Sequence, residues 1–111
     1  MKTVNLKEDM PLVREALSRL DQALSAARSE GHSVIKVIHG YGSSGAGGEI
    51  RIAVQKRLRE MTESGQTQGW IPGEEWIISD EQTWKIIKAH PELKGDRDLG
   101  GKNPGVTIVL L

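Results

Sequence analysis

The chain contains no cysteine, so neither a disulfide framework nor a thiolate zinc site is open to it. No apolar run approaches the ~20 residues that a membrane span needs. The start, Met1-Lys2-Thr3-Val4-Asn5, lacks the apolar centre of a secretory signal. Net charge is also missing, because 15 basic side chains stand against 15 acidic ones. That balance argues against a protein that coats nucleic acid by charge alone. Together these absences make the cytoplasm the expected compartment and exclude a membrane as partner.

The 111 residues suit one domain, spanning 1–111, that is long enough to bury its own core. No internal repeat or low-complexity tract interrupts it. Thr3-Val4-Asn5-Leu6 alternates as a short strand. From Leu12 to Ala27 apolar residues recur at three- and four-residue steps, which predicts a helix ending near Gly31. Val34-Ile35-Lys36-Val37-Ile38 is a β-branched run broken by one lysine, the composition of a buried strand. A second helix is expected from near Glu49 to Gly65, with Ile50, Ala53, Val54, Leu58 and Met61 on one face. A third strand is expected over Glu75 to Ile78, then a short helix over Glu81 to His90 capped by Ser79 or Asp80. Lys94 to Gly105 reads as a polar loop. Val106 to Leu111 reads as an inner strand, apolar on both faces. The order βαβαβ(α)β predicts an α/β fold with a mixed four-stranded sheet, the first three strands running parallel.

Between the second strand and second helix, Gly40-Tyr41-Gly42-Ser43-Ser44-Gly45 matches the pattern G-x-G-x-x-G. A dinucleotide site would also need an acidic residue ending the next strand, and Glu60 and Glu63 fall on the helix instead. What survives is a glycine-lined helix start, where bare backbone N–H groups suit a phosphate. The plainer alternative is a simple turn.

Val37-Ile38-His39-Gly40-Tyr41-Gly42 resembles the Ile-His-Gly-x-Gly motif of the Smr (small MutS-related) domain family. Ile50-Arg51 occupies the place of that family's helix-opening Leu-Arg, after a loop about four residues longer. Gly105-Val106-Thr107-Ile108-Val109 is similar to its terminal strand, and Glu15-Ala16-Leu17 with Leu20-Asp21 to its first helix. The resemblance implies a two-layer α/β sandwich. It also implies binding to DNA or RNA and, for some members, nicking that depends on a metal, with Mg²⁺ or Mn²⁺ as the cofactor of such a nuclease. The departures are in the first strand, where the family's Leu-Asp-x-His becomes Val4-Asn5-Leu6-Lys7, and in an enlarged region over residues 65–104.

Those departures bear on the chemistry. His39 is the candidate catalytic residue, suited to proton transfer or phosphate contact. Asn5 cannot ionise, and Lys7 offers a point charge for a phosphate rather than a base. The expected function is therefore nucleic-acid binding, with Lys7, His39, Gly40, Gly42, Arg51, Lys56, Arg57 and Arg59 meeting the phosphate backbone. A structure-specific endonuclease is the alternative, and a protein-interaction module through Trp70, Trp76 and Trp84 is the third. The plainer expectation for the tryptophans is core, and for Asp96 and Asp98 a solvated loop. His32 and His90 have no ligand spacing with His39, so no metal site is assigned. Residues 31–61 hold five basic and two acidic side chains, so the neutral total hides a local surplus of three.

Overall fold

Period-two alternation decides which side of the sheet each strand residue faces. The computed structural model describes residues 1–42 and 46–111, the side chains of residues 46 and 47 aside. The elements are β1 (Lys2–Asn5), α1 (Val13–Ser29), β2 (Val34–Ile38), α2 (Ala46–Glu63), β3 (Gly69–Pro72), α3 (Glu81–Ala89) and β4 (Val106–Leu110). Short 3-10 turns, Gly73–Glu75 and Pro91–Gly95, flank α3. The strands lie in the order β1-β2-β4-β3. β1 is parallel to β2, and β4 runs antiparallel to both β2 and β3. The first three strands therefore point one way, and the C-terminal strand is the inner one inserted between β2 and β3.

On one face, Ile35, Val37 and Val109 pack under Leu20 and Leu24 of α1 and Ile50, Val54 and Leu58 of α2. This is the two-layer α/β sandwich. On the other face, Val34, Ile71 and Ile108 meet Trp76, Ile86, Ile87 and Leu93 in a second core. That second cover comes from residues 73–95 and spans only part of the sheet. Thr3 and Asn5 of β1 remain exposed on this face, and Ile38 is half-buried.

Two expectations need adjusting. The third strand is Gly69–Pro72, not Glu75 to Ile78. Of the apolar run there, Trp76 is fully buried in the second core, whereas Ile78 is 51% exposed. The second helix starts earlier, at Ala46. Ser43, Ser44 and Gly45 of the glycine-rich motif lie outside the described residues. The third helix is capped by Asp80, whose carboxylate accepts the Thr83 N–H at 2.9 Å.

Candidate functional site

β1 and β2 end side by side, and Leu6 extends their ladder by donating its N–H to Ile38 O at 2.8 Å. The chain then leaves β1 in a tight turn. Asn5 Oδ1 accepts the Lys7 N–H at 2.9 Å, and Lys7 O accepts the Met10 N–H at 3.1 Å. Asp9 and Met10 take left-handed backbone angles, φ 64° and 46°. β2 exits into Gly40 and Gly42, with φ 76° and 93°, a conformation that glycine adopts without a Cβ penalty.

The exit of β2 is bolted to the start of β4. His39 and Gly40 both donate their N–H groups to Gly105 O, at 3.0 and 3.1 Å. The His39 ring is fully buried, with Nδ1 2.6 Å from Gly40 O and Nε2 2.8 Å from Thr107 Oγ1. A carbonyl only accepts, so Nδ1 carries the proton and Nε2 accepts from the Thr107 hydroxyl. That hydroxyl in turn accepts from Gln55 of α2 at 3.3 Å. Burial pushes the imidazole pKa below its ordinary value, against the opposing pull of the Gly40 carbonyl. Neutral and with both nitrogens engaged, His39 positions the glycine turn. It does not line the neighbouring cavity.

That cavity, about 590 Å³, opens at the carboxyl ends of β1 and β2, where open α/β sheets place their ligands. Lys7, Gly40 and Gly42 line it together with Lys36, Tyr41 and Arg97. Lys36 is the lysine inside the β-branched run. Its ammonium is buried and meets Asp96 Oδ1 at 2.6 Å and Asp98 Oδ2 at 2.7 Å. Asp96 Oδ2 accepts from Trp76 Nε1, and Asp98 Oδ1 from Asn103 Nδ2. Burial would raise the Asp98 pKa, but the bonds from Lys36 and Asn103 outweigh it and hold it low. The two aspartates are thus not solvated. They pin the loop to β2.

The remaining candidate residues do not converge on this cavity. Arg51 pairs with Glu74 at 2.8 Å, and Arg57 with Asp21 at 2.8 Å. The Arg59 guanidinium lies 5.8 Å from the Trp70 ring centroid, and Lys56 is exposed on α2. Trp70 is half-buried and Trp84 41% exposed, so core accounts fully only for Trp76. His32 and His90 lie beside Glu30 and Glu92, away from the cavity. Sequence reading overlooked Lys36, Tyr41 and Arg97. The lone cation in an apolar strand was the available sign for Lys36, because a buried lysine demands anionic partners.

The donors present do not fit a divalent cation. Asn5 Oδ1 and both His39 nitrogens are already bonded, and Lys36 occupies Asp96 and Asp98. Among the described residues no group of three or more His, Cys, Asp or Glu side chains is arranged to hold a metal.

The bolt joins the His-Gly-x-Gly turn to the Gly-Val-Thr strand. The family model described as "Smr domain" matches residues 11–70, more than half of the sequence. The chain belongs to the Smr domain family. Its fold is similar to that of the Smr domain of Thermus thermophilus MutS2, with a TM-score of 0.62 and 26% identity. The similarity covers 100% of this chain and 98% of that one. No curated protein matches the sequence. Among the described residues, no helix of this Smr domain is long and apolar enough to cross a membrane.

Proposed function

We propose that this Smr domain binds DNA or RNA, gripping the phosphate backbone at the mouth of the cavity beside β1 and β2. Lys7 and Arg97 supply the charge, and Gly40 and Gly42 offer backbone without a side chain in the way. His39 acts indirectly, by holding that turn in place. Arg51, Arg57 and Arg59 face Glu74, Asp21 and the Trp70 ring instead, and Lys56 is exposed on α2 outside the cavity lining. The carrying observation is that Lys7, Gly40, Gly42 and Arg97, distant in sequence, line one opening. Anisotropy of fluorescein-labelled RNA and DNA at low salt tests it. Binding that weakens with salt, and weakens further in Lys7→Ala, is expected; no salt-dependent binding of either polymer refutes it.

Cleavage ranks second. A nuclease needs a base to activate water, whereas Nε2 of His39 already accepts from Thr107. Incubation with supercoiled plasmid and structured RNA, with Mg²⁺ or Mn²⁺, is expected to leave both intact. Cleavage lost in His39→Ala would restore the nuclease reading.

A further inference from the structure

The cavity lining offers apolar side chains that a phosphate cradle alone would not need. Its lining includes Ile38, Ile50 and Val106 beside the mutually paired Lys36, Asp96 and Asp98, and Lys7 and Arg97 lie in flanking loops. Tyr41, 55% exposed, also lines it. The ring rests against Gly105, where a Cβ would come within 3.3 Å of Tyr41 Cδ1. Met10, 73% exposed, is on the lining too, held by the left-handed turn at Asp9 and Met10. Such strain in two successive non-glycine residues persists only where the surroundings impose it. Here it keeps a flexible apolar side chain beside the opening.

Resting on the nucleic-acid reading above, we propose that this cavity receives one unpaired base of a single strand. The base enters beside Ile38, Ile50 and Val106 and stacks on Tyr41, while Lys7 and Arg97 take its flanking phosphates. The volume lies within the roughly 300–1,000 Å³ of small-ligand pockets. A paired base is held inside its stack and cannot enter, whereas an unpaired base splays out to meet aromatic side chains. The preferred partner is therefore single-stranded, or a loop or end with unstacked bases.

The test compares a short fluorescein-labelled strand with the same strand annealed to its complement. Wild type, Lys7→Ala, Tyr41→Ala, Tyr41→Phe and Trp84→Ala are measured at one salt concentration. The single strand is expected to bind at least about tenfold more tightly than the duplex. Tyr41→Ala should lose about 5- to 150-fold on the single strand, the worth of one base–aromatic stack, and nothing on the duplex. Tyr41→Phe keeps the ring and should restore binding, which separates stacking from misfolding. Trp84→Ala, outside the cavity lining, should match wild type on both. Equal affinity for both forms, with Lys7→Ala weakening each, would overturn the base pocket and leave phosphate binding standing. No binding to either form would overturn both. Complete displacement by free adenosine monophosphate, at the strand's own affinity, would assign the cavity to a mononucleotide and also overturn the proposal.

Discussion

His39 illustrates how one residue type serves position rather than proton transfer. Its folded form is neutral and its pKa depressed by burial. In the unfolded chain the same ring takes up a proton near the ordinary value of 6.5. Below that pH the unfolded state binds a proton that the folded state refuses, so stability falls as pH falls. The contribution is fully present above the unfolded value and is lost downward from it. Wild type should lose up to about 1.4 kcal/mol per pH unit below about pH 6.5 relative to His39→Gln. Urea unfolding of both proteins at several pH values measures the difference, and parallel curves would contradict the assignment. Lys36 is a second case. Its β-branched setting made the strand legible, but the sequence could not show which carboxylates lie across from it. Lys36→Met leaves Asp96 and Asp98 facing each other with no cation, and removal of one partner from a buried pair costs about 3–5 kcal/mol. Chemical denaturation should show that loss, and restoring both Asp96→Asn and Asp98→Asn should recover much of it.

At the level of elements, periodicity succeeded where one face is apolar and failed where a short run is apolar throughout. α1 and β2 have clear stripes or β-branched runs, and both stand close to the expected places. Trp76-Ile77-Ile78 gave a strand signal, yet the sheet takes Gly69–Pro72. A short apolar run does not distinguish a strand from a buried turn. What decides here is Gly73, just after β3. A Cβ added there would come within 1.9 Å of Asn103 O and 2.8 Å of Val106 O, both backbone atoms. Only glycine lets the chain turn away beside β4 and carry Trp76 under the sheet. Gly73→Ala should therefore cost about 1–3 kcal/mol or more, through overpacking against atoms that cannot rotate aside. Gly95→Ala is the matched control, because its Cβ would meet nothing within 4 Å. Thermal melts of the two variants side by side should show a large drop for the first and little change for the second.

Over the whole molecule, folding redistributes the charge that the sequence displays. The surplus of three over residues 31–61 is a fact of the chain, but it is not a patch. Lys36 is spent on Asp96 and Asp98, Arg51 on Glu74 and Arg57 on Asp21. The acidic C-terminal region supplies most of those anions, which local counting along the sequence had no means to show. Lys7 and Arg97, from segments with no surplus, form no ion pair among the described residues and line the cavity instead. These two accounts predict different salt dependence. Each phosphate neutralised on a single strand contributes a slope of about −0.7 to log K against log salt. Two cavity cations give about −1.4, or about a sevenfold loss of affinity from about 50 to 200 mM salt. If all five cations of residues 31–61 engaged phosphates, the slope would approach −3.5 and the loss about a hundredfold. A slope near −1.4 that shrinks by about 0.7 in Lys7→Ala and again in Arg97→Ala is the expected result. A steeper slope, insensitive to both substitutions, would place the binding surface on α2 and away from the cavity.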